Sequence, residues 1–152
     1  MKPALVMQLA RFGDLIQSKR LIVGLAASGR PVHLLVDASL ERLARIVYPG
    51  VAVHTVNAHS RPDPAALLAG LEGLATAGFH RVYNLNFSGM NLAVAGLFDP
   101  AVVRGHSLDK GQALRDPWAA TSFRWTRRRR LGALNLADFW AGFALPMADP
   151  AS

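Results

Sequence analysis

Asp14 stands directly after Gly13, at the end of the mostly apolar run that opens the chain, with Arg11 close before it. A carboxylate at a strand-to-helix corner is placed to take a proton from a bound hydroxyl. In open parallel α/β sheets, ligands bind in crevices outside the carboxyl ends of strands. Gly13 is read as the turn, since it has the backbone freedom that a Cβ removes, and the helix start behind it carries partial positive charge that favours anions. Asp is also a preferred N-cap, worth about 1 kcal/mol, and the two uses of one side chain are not exclusive.

Arg11 beside this corner and Arg104 at the end of a later strand are candidates for binding anions, because a planar guanidinium makes paired contacts to carboxylate or phosphate. The bland alternative for each is a solvated surface cation. Asn84, Asn86 and Ser88 fall where another strand delivers them, next to the Asp14 corner, and either bond sugar-like hydroxyls or cap the next helix. His54 and His59 form no recognisable ligand set and read as surface histidines. No Asp-x-Asp pair suggests a divalent ion, and no G-x-G-x-x-G, G-x-x-x-x-G-K-[ST] or G-x-S-x-G motif occurs, so neither a metal nor a cofactor is implied.

Arg127 to Arg130, preceded by Phe123, Arg124 and Trp125, is the densest run of positive charge. Its readings are a solvated turn, an anionic membrane surface, or nucleic acid. No nucleic-acid fold motif accompanies it, which favours lipid or glycolipid.

The elements that position these residues alternate between strand and helix. Strands are expected at 4–9, 32–36, 51–56, 81–85 and 101–105, with helices at 14–28, 40–47, 64–77 and, after Asn86-Phe87-Ser88-Gly89, another through Leu97. From Ser107 to Trp118 the chain reads as polar and turn-rich, and Asn135 to Leu145 as an amphipathic closing helix capped by Asn135. Steady alternation argues a Rossmann-like α/β sandwich of three layers around a parallel sheet. Residues 1–145 form that domain, and 146–152 resemble an interdomain linker.

The chain has 152 residues, 51% of them hydrophobic and 18% charged, enough for one packed domain. Absence of cysteine excludes disulfides and thiol chemistry. With 17 Lys and Arg against 10 Asp and Glu, the net charge of +7 favours anionic partners. No apolar run reaches the roughly 20 residues of a spanning helix, and the start lacks a signal peptide's pattern, so the expected location is cytoplasmic, peripheral at the inner membrane face where the basic run meets lipid.

The Arg11-Phe12-Gly13-Asp14 corner after Lys2 to Leu9 resembles the amino-terminal signature of the heptosyltransferases, glycosyltransferase family 9. So does Val82-Tyr83-Asn84-Leu85-Asn86-Phe87-Ser88, followed after one short helix by Val103-Arg104-Gly105. The resemblance runs over nearly the whole chain and implies the amino-terminal, acceptor-binding half of a GT-B glycosyltransferase. Such enzymes move heptose with inversion from ADP-heptose onto the lipopolysaccharide core. By this resemblance Asp14 is the general base, and Arg115, in Leu-Arg-Asp-Pro, aligns with an acceptor-binding arginine. Gly13, Arg11, Arg104, Asn84, Asn86 and Ser88 complete the acceptor side. The donor-binding half of such enzymes has no counterpart in these residues, so donor binding is expected only with a separate carboxyl-terminal domain. The rival expectation is a non-catalytic basic module for anionic glycolipid or nucleic acid.

Overall fold

The opening apolar run becomes β1, Ala4–Gln8, with every residue buried. A computed structural model of the protein describes residues 1–59, 64–126 and 135–144. On one side of β1 lie β2 (Val32–Asp37) and β3 (Ala52–Val56); on the other lie β4 (Arg81–Asn84), β5 (Val103–Asp109) and β6 (Gln112–Arg115). The six-stranded sheet runs β3-β2-β1-β4-β5-β6 and is parallel from β3 to β5. The strand order reverses between β1 and β4, so the crevice beyond their carboxyl ends is the topological switch point.

Alternation along β1 feeds two separate cores. Ala4 and Val6 pack with Leu15, Ile22 and Trp140, under α1 (Phe12–Gln17), α2 (Lys19–Ala27), α3 (Glu41–Val47), α6 (Pro117–Thr126) and α7 (Leu136–Ala141). Leu5 and Met7 pack with Leu67, Leu71 and Val94, under α4 (Pro64–Ala75) and α5 (Gly89–Ala95). The result is the expected α/β sandwich of three layers.

Three expectations change. The single first helix is two: at Ser18 the hydroxyl donates to the Asp14 carbonyl (2.8 Å) and accepts from buried Gln8 (2.8 Å), and α1 ends there. The sheet is not wholly parallel, because β5 continues past Gly105 to Asp109 and returns as β6 in an antiparallel hairpin. Lys110 (φ 47°) and Gly111 (φ 79°) form its two-residue turn, and positive φ at both positions matches the twist of the flanking strands. The closing helix is short, α7 followed by a 3₁₀ turn at Gly142–Ala144, but Asn135 caps it as expected, accepting from the Asp138 N–H at 2.9 Å. The basic run 127–130 and the linker 146–152 lie outside the described residues.

The carboxyl edge of the sheet is tied by Asp37. Its buried carboxylate accepts from the Ser39 N–H (3.0 Å) and hydroxyl, and from the N–H groups of Ala58 (2.8 Å) and His59 (3.2 Å). Burial alone would raise its pKa, but these bonds and the nearby His59 charge leave it below the ordinary value. Asp37→Ala strands several of those donors, and urea denaturation is expected to show a loss of about 2–4 kcal/mol. A loss under about 0.5 kcal/mol, the range of an ordinary surface substitution, would mean that the tie is dispensable.

Candidate functional site

The switch-point crevice is built by two corners that meet through one hydrogen bond. The Leu9 N–H, just past β1, donates to Asn86 Oδ1 (2.9 Å), just past β4. Gln8, fully buried at the end of β1, braces the first corner by donating to Ser18 Oγ and, at 3.4 Å, to the Asp14 carbonyl. His59 Nε2 lies 2.7 Å from the Leu9 carbonyl, so the loop after β3 also grips this corner.

Asp14 sits in the first turn of α1, half-buried, with Oδ2 accepting from the Arg11 N–H at 3.2 Å. It is not the N-cap; Arg11 holds that position, and Asp14 reaches back to it from the third helical residue. Gly13 is also not the turn. It lies inside α1 without positive φ, and a Cβ there would meet nothing within 4 Å. The bend falls instead at Ala10 and Arg11.

At the second corner, Ser88 caps α5, accepting from the Asn91 N–H (3.3 Å) and donating to Asn91 Oδ1 (2.6 Å). Asn86 spends its oxygen on Leu9 and on Asn91 Nδ2 (3.4 Å), and its own Nδ2 has no hydrogen-bond partner among the described residues. Asn84 is fully buried and turned into the frame: its Nδ2 donates to the His106 carbonyl (2.8 Å), and its oxygen faces Asn91 Nδ2 and the Asn86 N–H, each at 3.4 Å.

Two of the arginines lie further along the sheet, Arg104 on β5 and Arg115 at the end of β6. Arg104 is within β5 rather than at its end, paired in register with Tyr83, and its Nε is 3.4 Å from Asp116 Oδ2. Asp116 also accepts from the N–H groups of Gly105 (2.5 Å) and Ala119 (2.8 Å), so it caps α6 and pins β5 together. Arg115 is exposed, its guanidinium 4.7 Å above the Phe123 ring, and lines an open groove of about 370 Å³ with Phe123 and Arg124. Arg11, Gly13, Asp14, Asn86 and Ser88 thus share the two corners, while Arg104, beside Asp116, and Arg115, over Phe123, lie on the next two strands.

Sequence reasoning missed Gln8, Ser18, Asp116 and His106. Asp116 before Pro117 carries a legible cap signal; Gln8 and Ser18 meet across the corner ten residues apart, and His106 is held by Asn84 from another strand. His54 is not a surface histidine: half-buried, it meets His33 at 2.9 Å between ring nitrogens. Among the described residues no group of three or more His, Asp or Glu is placed to hold a metal ion.

Burial, with Arg115 adding and Asp116 opposing, pushes the His106 pKa down to about 4. An unfolded chain protonates the same ring below about pH 6.5, so through that interval it binds more protons than the folded one. Stability is therefore full above about pH 6.5 and expected to fall by about 2 kcal/mol on this residue's account as pH drops toward 4. His33 and His54, lowered mainly by burial, act in the same direction. Urea denaturation at pH 7 and pH 4.5 checks this: His106→Phe should lose less than wild type, and an equal loss would contradict it.

Scans against protein-family models and curated proteins give no match. Among solved structures, the crystal structure of the glycosyl transferase family 9 from Veillonella parvula DSM 2008 is similar at a TM-score of 0.62 and 15% identity, over 93% of this chain. The match covers 40% of that chain, so this protein spans well under half the length of its structural relative. The described chain is thus similar in fold to part of that family 9 structure, a mixed α/β domain around a mostly parallel sheet.

Proposed function

We propose that this chain is the acceptor-binding part of an inverting glycosyltransferase of the heptosyltransferase kind, acting on the lipopolysaccharide core with an ADP-heptose donor. The observation that carries the reading is the Leu9 to Asn86 bond, which draws the Asp14 corner and the Asn86–Ser88 corner into one crevice at the switch point. The likeness in fold to a family 9 protein supports it.

In this reading the acceptor hydroxyl rests between Asp14 and the second corner. Asp14 takes its proton as the oxygen attacks the anomeric carbon, and the nucleoside diphosphate leaves from the opposite face, inverting the centre. Arg11's N–H orients the carboxylate through Oδ2 and leaves Oδ1 for the hydroxyl. Asn86 Nδ2 and Ser88 bond neighbouring hydroxyls, Asn84 holds the second corner in place, and Gly13 keeps the approach free of a side chain. Arg104 and Arg115 meet the acceptor's carboxylates and phosphates.

The test is transfer itself. The chain joined to the carboxyl-terminal half of a family 9 enzyme is expected to release ADP from ADP-heptose when given a core acceptor, and the chain by itself to release none. Sustained release by the chain alone, or none from the joined protein with verified donor binding, would overturn the reading.

The same proposal places the protein at an anionic membrane surface. Among the described residues no helix is long and apolar enough to cross a membrane. Trp125 is exposed beside Arg124 and leads into Arg127–Arg130. Replacing those four arginines with Gln is expected to weaken sedimentation with phosphatidylglycerol vesicles, and to remove most of its salt dependence. Unchanged vesicle binding with tight binding to random DNA would favour the nucleic-acid module instead.

A further inference from the structure

On the β5 side of the crevice, His106 holds a buried polar atom that is unpaired among the described residues. The residue is 5% exposed, and its buried Nε2 has no hydrogen-bond partner among the described residues. Native proteins rarely leave such an atom unpaired, because it has given up water for nothing. His106 follows Gly105, which pairs with Asn84, so it stands at the carboxyl level of β4, and its carbonyl is held by Asn84. What covers the ring is aromatic. Phe87 lies with its centroid 4.0 Å away and Phe123 at 5.5 Å, and the two phenyl rings meet edge to face at 4.7 Å.

Phe87 is an unusual cover. It is 37% exposed and sits on the loop between Asn86 and Ser88, in the middle of the second corner. Its ring belongs to neither core cluster and touches the nearer one only at its edge, 6.4 Å from the Phe139 ring centroid. With Phe123 and the His106 ring it makes an aromatic wall beside this corner. Such a wall suits a sugar, whose C–H face packs on phenyl rings while its hydroxyls need a few fixed polar partners.

We propose that Phe87, Phe123 and His106 form a neutral-sugar subsite, in which Phe87 moves aside, a ring hydroxyl of the acceptor pairs with His106 Nε2, and the sugar's apolar face rests on the two phenyl rings. The proposal rests on the acceptor-binding reading and deepens it, naming a contact to uncharged sugar beside the arginines that meet its acidic groups. The uncharged imidazole imposed by burial fits this role, offering a hydroxyl either a donor or an acceptor. His106 is then a specificity-determining residue, one that senses a hydroxyl's presence and position.

The experiment titrates the full chain, labelled with ¹⁵N at histidine, with deacylated inner-core oligosaccharide, following ring-nitrogen shifts and Phe87 ring signals. The oligosaccharide is expected to shift His106 Nε2 and Phe87 together. Affinity should fall about tenfold in His106→Phe, which fills the same space without a polar atom, and recover in part in His106→Gln. Binding that is equal in wild type and His106→Phe, with no shift at His106, would overturn the subsite and leave the acceptor reading standing. No binding by wild type to the oligosaccharide or to methyl hexopyranosides would overturn both.

Discussion

Asp14→Asn is expected to lower glycosyl transfer by about 10²-fold or more while leaving stability within roughly 1 kcal/mol of wild type. Asparagine keeps an oxygen that accepts from the Arg11 N–H, as Asp14 Oδ2 does at 3.2 Å, so the turn of α1 survives. It has no carboxylate to take the acceptor proton. Asp14→Ala removes both functions and should lose stability as well as rate. The measurement is ADP release by the chain joined to a family 9 donor half, together with urea denaturation of the unjoined chain. Near-normal turnover in Asp14→Asn alongside instability in Asp14→Ala would reduce Asp14 to a helix-end residue.

The second large effect belongs to Gly105. Its φ is +99°, and a Cβ built there would stand 2.2 Å from the Asn84 carbonyl oxygen, a backbone atom with little room to yield. Gly105→Ala must therefore push β5 away from β4, breaking the Asp116 to Gly105 bond and displacing His106. A loss of about 3–5 kcal/mol is expected, enough to unfold a marginal domain. Gly13→Ala is the control: a Cβ there meets nothing within 4 Å, and alanine favours helix. Comparable destabilisation of both variants would show that the close approach at Gly105 is not what holds the two strands.

The legible parts of the molecule are those written locally. Short apolar runs at Ala4, Val32 and Arg81 each lead into a turn and a helical pattern, and this rhythm was enough for the parallel core of the sheet. Asn135 ahead of an apolar stretch read correctly as a cap, because capping depends on residues three apart. The β5–β6 hairpin did not read, because β6 is exposed along its length and carries no apolar alternation, and its turn hides in Lys110-Gly111. At the candidate site the corner was visible but its mechanics were not. Gly13 looked like the turn because glycine usually marks one, yet buried Gln8 and Ser18 set the geometry from elsewhere. His106 and Asn84 acquire their roles only when β4 and β5 pair, a contact no local spacing announces.

Backbone amide chemical shifts of the ¹⁵N-labelled chain, followed while deacylated inner-core oligosaccharide is added, test the acceptor-crevice account most directly. Saturable shifts are predicted at Arg11 to Leu15 and Asn86 to Gly89, with smaller ones at Gly105 and His106, and little change along β3 and α4. Saturation without shifts at the first two segments, or shifts confined to the β3 edge, would contradict it.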